Sequence, residues 1–215
     1  MTIRPVDSPE FRRWFGASKV VDEAGQPLVV WHASRASRAD FEEFDLDLAF
    51  DIGVHFGSRE AAYHFSEEPR PYFLRVENPL RLIDPLDWVG ATGDSTLEQL
   101  LRLRLISREA YERLSGAIAD RKEALRIQGT GHEDWLRDSD NKQEMAWVRF
   151  RAEAGKAIAG LITRAGHDGV VYTNEVEGGE SYMVFSPTQI KAAVGNRGTF
   201  DPNDPNILHG LARRR

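Results

Sequence analysis

The chain contains no cysteine among its 215 residues. That removes a disulfide framework, a thiol nucleophile and any cysteine metal site. A reducing compartment and export of a cysteine-free protein both stay open. No apolar run approaches the roughly 20 residues that cross a bilayer. The front, MTIRPVDSPE, lacks the apolar core of a secretory signal. An excess of positive charge is also missing: 28 basic against 34 acidic residues give a net charge of −6. This disfavours broad non-specific nucleic-acid binding and leaves only a local basic stripe open. No GxGxxG or P-loop occurs, so phosphates cradled at a helix N-terminus are not indicated. No GxSxG elbow marks a serine hydrolase. The six histidines are scattered, with no HExxH, so no metal is expected. No pair of carboxylates stands out for glycosidase chemistry.

What is present is ordinary globular composition, 41% hydrophobic and 29% charged. A chain of this length buries a large core without disulfides. Internal repeats are absent. SPEFRRWFG, residues 8–16, reads as a short helix capped by Ser8, with Pro9 at its first position and Gly16 as its stop. Lys19 to Asp22, a turn from Glu23 to Pro27, and the apolar run Leu28 to Trp31 read as a hairpin or paired strand. Gly53-Val54-His55-Phe56-Gly57 reads as a glycine-framed strand, and Ser58 caps the helix after it. Tyr72 to Glu77 alternate as a strand that Asn78-Pro79 ends.

The middle changes character. Leu97, Leu100, Leu101 and Leu105 recur at helical spacing, then Tyr111, Leu114, Ile118 and Leu125. A third helix is predicted from about Glu144 to Arg164, with Met145, Val148, Ala152, Ile158, Leu161 and Ile162 inward and Gly166 as its stop. Strand character returns at Val170 to Tyr172 and at Ser181 to Phe185. Gln189 to Ala193 follow as a turn or edge segment. Strands at both ends around a helical middle make an α+β pattern, and the short strands suit an antiparallel or split sheet.

Four groups could carry chemistry: His32 at a strand exit, His55 on the glycine-framed strand, Tyr63 on the helix after it, and Glu180 with Ser181 beside it. Each has a plain structural reading too. A histidine at a strand end is more often a hydrogen-bonding core group, a helical tyrosine is core by default, and a glutamate after two glycines is a solvated turn residue.

Their order carries more than any one of them. WHAS at Trp31–Ser34, GVHFGS at Gly53–Ser58 with AAY at Ala61–Tyr63, and ESYMVFSPTQIKAA at Glu180–Ala193 resemble the ADP-ribosyltransferase fold in its diphtheria-toxin and poly(ADP-ribose) polymerase-like branch. The chain is most similar to the ADP-ribosyltransferase-like domains of phage polyvalent proteins and related bacterial toxins and effectors. NPL at Asn78–Leu80, GHDGVVY at Gly166–Tyr172 and the ending QIKAAVGNRGTFDPNDPNI also fit that group.

The resemblance implies a split antiparallel β-sheet core with a helical insertion in one domain over 1–215. Residues 1–88 form the first half of the core, 89–144 the insertion, 145–198 the second half and 199–215 an irregular tail. It implies a mono-ADP-ribosyltransferase that cleaves NAD at the nicotinamide–ribose bond and acts as a phage or bacterial toxin or effector. His32, His55 and Glu180 would be catalytic. His32, Ala33, Ser34, Phe56, Tyr63 and Ser181 would bind NAD: His32 on a ribose hydroxyl, the Ala33 backbone on the nicotinamide amide, Tyr63 stacked on the ring. Ala33 stands where the family has glycine, which requires a negative φ there. His55 replaces a tyrosine. If Tyr182 aligns with the family's Tyr-x-Val-Tyr, Ser181 takes the glutamate position, unless a bulge after Gly178-Gly179 turns Glu180 inward. NAD is the only cofactor implied, as substrate and without a metal. The partners implied are a protein or nucleic-acid acceptor and an immunity or antitoxin protein, not a membrane. The location implied is the cytoplasm or a target cell into which the protein is delivered. The alternatives are a catalytically inactive NAD- or ADP-ribose-binding or protein-interaction module, and a phage structural or packaging protein.

Overall fold

The computed structural model describes residues 6–33, 41–49, 51–85, 87–89, 95–127, 142–198 and 200–208. Five α-helices and seven strands form among them, a mixed α+β chain with two sheets. The chain divides into two compact units, one of 1–45, 55–81 and 167–215, the other of 46–54 and 82–166.

The first unit begins with α1 (Pro9–Phe15). Ser8 accepts the Phe11 amide at 3.1 Å, and Gly16 leaves the helix at φ 56°. Phe11, Trp14 and Phe15 then face inward and meet Phe73, Ala193 and Phe200 in one aromatic cluster. The Trp14 indole donates to the Thr188 carbonyl at 3.0 Å. Buried aromatics of this kind keep their polar atom only where it finds a partner.

A three-stranded sheet runs in the order β1 (Val30–His32), β3 (Arg70–Leu74), β7 (Ile190–Ala192). Both pairings are antiparallel, with Val30 opposite Tyr72 and His32 opposite Arg70, and Phe73 opposite Lys191. A four-stranded sheet runs β2 (Val54–Phe56), β6 (Glu180–Val184), β5 (Gly169–Thr173), β4 (Pro79–Ile83). Here β5 and β6 pair antiparallel without interruption, from Gly169 opposite Val184 to Thr173 opposite Glu180. One reciprocal pair of hydrogen bonds links the sheets: Trp31 N–H to Gly57 O at 2.9 Å and Gly57 N–H to Trp31 O at 3.0 Å.

The strand read over Tyr72 to Glu77 spans Arg70–Leu74 instead; it is over before Asn78-Pro79, where the chain turns a corner into β4. Proline is tolerated as the first residue of a strand, where no ladder N–H is needed. The corner is held by Asp168, whose carboxylate accepts from the amides of Glu77 at 2.7 Å and Asn78 at 2.8 Å. The segment read as a turn or edge after Gln189 forms β7, at the edge of its sheet.

The second unit carries α3 (Thr96–Arg102), α4 (Arg108–Ile127), α5 (Lys142–Arg164) and a 3-10 turn at Leu46–Leu48. Leu97, Leu100, Ile118, Leu125, Ile158 and Ile162 are all buried. Helix α5 lies within this unit. Its buried face also includes Trp147, Phe150 and Ala154, while Met145 and Val148 are half-buried. Arg151 pairs with Asp51 and lies 3.6 Å from Asp87, which also takes Lys122 at 2.7 Å. A Cβ on Gly155 would run into the Asp51 carbonyl, so the helix and residues 51–52 touch backbone to backbone.

Candidate functional site

His32 sits at the last position of β1, half-buried, with its ring 5.1 Å from Phe44, 5.3 Å from Phe56 and 6.5 Å from Tyr72. Its Nδ1 is 2.7 Å from the backbone carbonyl of His55. A carbonyl can only accept, so Nδ1 carries the proton and donates. Burial among aromatic rings pushes the imidazole down to about 4; the bond to His55 opposes this and the charge of His55 adds to it. At neutral pH the ring is therefore uncharged, with its lone pair on Nε2. A neutral imidazole fixed in that tautomer is an acceptor for a hydroxyl.

The backbone of Ala33 continues from β1. Among the described residues only Arg104 and Phe200 are non-glycines with positive φ, so Ala33 meets the condition set for it. Ser34 lies outside the described residues. Phe56 is 2% exposed and packs under His32 beside Phe44 and Tyr72, at 5.8 and 5.5 Å. Its side chain supports the histidine from the core. The same burial raises the Tyr72 hydroxyl to about 12, against a smaller opposing pull from Arg70.

His55, in the middle of β2, is placed by two different atoms. Its carbonyl holds His32, and its ring Nδ1 lies 3.2 Å from the hydroxyl of Tyr172 on β5, with the rings edge to face at 6.3 Å. The structure thus brings His32 and His55 together. It adds Tyr172, which sequence reasoning did not single out, because only the cross-strand register places it there.

Tyr63 ends α2 (Arg59–Tyr63), which starts where Ser58 accepts the Ala61 amide at 3.0 Å. Tyr63 is 46% exposed, and Arg59 donates to its hydroxyl at 3.0 Å. The Arg59 guanidinium also lies 5.2 Å from the Tyr63 ring centre and 5.1 Å from that of Trp31. Cation–π contact at such distances is worth about 0.5–1 kcal/mol at exposed sites. Arg59 is a second neighbour missed in the sequence, where it reads as a first-turn helix residue.

The two candidates at the start of β6 part company. Tyr172 stands opposite Ser181, so the two side chains share a face, and that is the face on which Tyr172 meets His55. Ser181 is 3% exposed and receives the Asn174 side-chain amide at 3.4 Å. A Cβ on Gly57 would come within 3.0 Å of its Oγ. Glu180 points to the opposite face, where both its oxygens take the Arg81 guanidinium at 2.7 and 2.9 Å. The contact raises the pKa of Arg81, first through the hydrogen bond. The β5–β6 register continues unbroken to Glu180, so no bulge turns Glu180 onto the face that Ser181 and Tyr172 share. Among the described residues no group of three or more His, Asp or Glu could hold a metal ion. No described helix is long and apolar enough to cross a membrane.

Residues 22–200 match the family model described as ADP-ribosyltransferase in polyvalent proteins. The chain belongs to that family. No curated protein matches the chain. Among solved structures, it is similar to a crystal structure of an anti-CRISPR protein at 12% identity, over 74% of this chain and 89% of that one, with a TM-score of 0.29.

Proposed function

We propose that the protein cleaves the nicotinamide–ribose bond of NAD and transfers a single ADP-ribose to a macromolecular acceptor. The observation that carries this is the His32 imidazole, uncharged and with Nδ1 tied to His55, so that Nε2 accepts a hydroxyl of the nicotinamide ribose. The ordered motifs and family membership support it. The two bridged sheets support reading the first unit as the split core and the helical unit as an insertion in one domain.

In this reading the C1–N bond breaks and nicotinamide leaves neutral with the bonding electrons, while positive charge builds on the ribose. Tyr63 holds the departing ring against its face, with Arg59 on the same residue. The acceptor's nucleophilic atom forms the new bond to C1 and releases its proton to solvent. His32 orients the ribose through the whole step, because its Nε2 stays unprotonated. Ser181 occupies the position where a glutamate would extend a chain, so a single transfer is the product. The acceptor is a protein or nucleic acid, the role that of a phage or bacterial toxin or effector acting in the cytoplasm of its target. Such a role calls for an immunity or antitoxin protein in the producing cell.

Incubation with labelled NAD and a bacterial lysate tests this reading. Label on a macromolecule and release of nicotinamide are expected. Neither, where a control transferase is active, overturns it. The pairing of Glu180 with Arg81, on the face of β6 opposite Tyr172, favours a second reading, an NAD- or ADP-ribose-binding module without turnover. Calorimetric binding of NAD with no nicotinamide release would select that one. Failure to bind NAD would point instead to an assembly role.

A further inference from the structure

We propose that Tyr72 is a second ribose-binding residue: its hydroxyl donates to a ribose hydroxyl oxygen while His32 Nε2 accepts a ribose hydroxyl. The inference deepens the transferase reading and rests on it for the identity of the sugar, the nicotinamide ribose of NAD.

On β1 and β3, His32 stands opposite Arg70 and Val30 opposite Tyr72. Tyr72 is therefore the diagonal neighbour of His32, and such neighbours on one face of a sheet lie within reach of aromatic side chains. The two rings meet edge to face with their centres 6.5 Å apart. Tyr72 is 1% exposed, and Phe44 and Phe56 lie against its ring at 5.4 and 5.5 Å. Packing of that kind would suit a phenylalanine equally well. A phenol buried so deeply needs a partner for its oxygen. Trp14 and Tyr172 each have one, a carbonyl and an imidazole. Among the described residues the Tyr72 hydroxyl has none. The same holds for Nε2 of His32, whose ring is bonded through Nδ1.

The two unpartnered atoms differ in kind. Burial keeps the Tyr72 hydroxyl protonated at neutral pH, so it has a proton to give. His32 is uncharged with its proton on Nδ1, so Nε2 has a lone pair to offer. One face of β1 and β3 thus presents a donor and an acceptor, and neither is used within the described chain. A carboxylate or phosphate only accepts and answers the phenol alone. An ammonium only donates and answers the histidine alone. A hydroxyl does both: its O–H donates to Nε2 and its oxygen accepts from the phenol. A sugar carries such hydroxyls side by side. A site that holds buried polar groups for them also discriminates against a sugar that lacks one, because a group of the site is then left unpaired.

Tyr72→Phe tests this, because it removes one oxygen and no hydrogen bond among the described residues. Its melting temperature is expected to equal or exceed that of the wild type, since an unpartnered buried oxygen is lost. Its affinity for NAD, measured by calorimetry, is expected to fall about five-fold, the loss of one neutral hydrogen bond. A lowered melting temperature would show that the hydroxyl serves the fold, and an unchanged affinity that it does not touch the ligand; either result overturns the proposal. Two NAD analogues, lacking the 2′- or the 3′-hydroxyl of the nicotinamide ribose, give a second measurement on the wild type. At least one is expected to bind more weakly than NAD, and the one without the oxygen that faces Tyr72 should lose nothing further in Tyr72→Phe. Equal binding of NAD and both analogues by the wild type overturns the proposal even if the variant does not fold. Nicotinamide release is read separately. NAD bound but not cleaved, with the affinity loss in Tyr72→Phe, would sink the transferase reading and leave this one standing. Release with unchanged affinity in the variant would do the reverse, and a wild type that binds no NAD would overturn both.

Discussion

His32 donates its Nδ1 proton to the main-chain carbonyl of His55 at 2.7 Å, across two strands that belong to different sheets. The bond fixes which nitrogen of His32 is basic, and burial fixes that it stays unprotonated at neutral pH. The two effects together make a hydroxyl acceptor out of a residue that reads as ordinary in isolation.

The pH dependence of this residue has a definite sign. Its folded pKa, about 4, lies below the 6.5 of the exposed group. Between these values the unfolded chain binds a proton that the folded chain refuses, so stability rises with pH across that window. On acidification the His32 contribution is lost progressively from about pH 6.5 to 4, by at most about 3 kcal/mol. Melts of wild type and His32→Gln over pH 4–7 check this, and the difference between them is expected to shrink with acid. NAD binding should fail as His32 protonates near pH 4, and His32→Ala should abolish it at all pH values with the fold retained.

Arg81 and Glu180 form an exposed bidentate pair on the far face of β6. Pairs of this exposure contribute between nothing and about 1 kcal/mol. Glu180→Gln is therefore expected to change nicotinamide release by less than about two-fold. Ser181→Leu, buried against Gly57 and Asn174, is expected to abolish it. A large rate loss in Glu180→Gln with an intact fold would show that this carboxylate reaches the reacting bond after all.

Lys191 is fully buried in β7, and its ammonium donates to the carbonyls of Asp204 and Asn206, both at 2.6 Å. Burial pulls it down to about 8; Asp204 and Asp201 oppose the shift and Arg75 adds to it. Lys191→Met leaves two carbonyls without their donor and is expected to cost about 3 kcal/mol in denaturant melts. For this group the folded value lies below the unfolded one, so its contribution grows more favourable as pH rises from about 8 toward 10.5. The gap between wild type and Lys191→Met should widen over that range. A gap that narrows would contradict the assignment.

Gly155 lets α5 meet the Asp51 backbone directly. Gly155→Ala is expected to destabilise the helical unit by about 2–3 kcal/mol, although alanine is the better helix former by roughly 1 kcal/mol. A lower melting temperature by circular dichroism checks the sign. A higher one would mean that the loop yields.

Much of the first unit was legible because local chemistry marks it. Ser8, Ser58 and Gly16 punctuate their helices as their side chains and φ angles dictate. The short apolar runs around His32, His55 and Tyr172 form the strands expected of them. What could not be read is parity and reach. Whether Glu180 or Ser181 faces the site depends on the register against β5, which no residue in the turn announces. Strand β4 was hidden because Pro79 reads as an end when it is in fact a beginning. Tyr172, Arg59 and Arg81 acquire their partners only across the sheet or the helix surface. The buried face of α5 extends beyond the aliphatic spacing because Trp147 and Phe150 also turn inward.

The reciprocal bonds between Trp31 and Gly57 have a consequence for how the site is watched. Each residue lends one amide proton to this seam, and each lies within two positions of a site histidine. Separation of the sheets there releases both protons to solvent at once. Matched deuterium uptake at these two amides, and its slowing when NAD is added, would report the closing of the seam without reference to any acceptor.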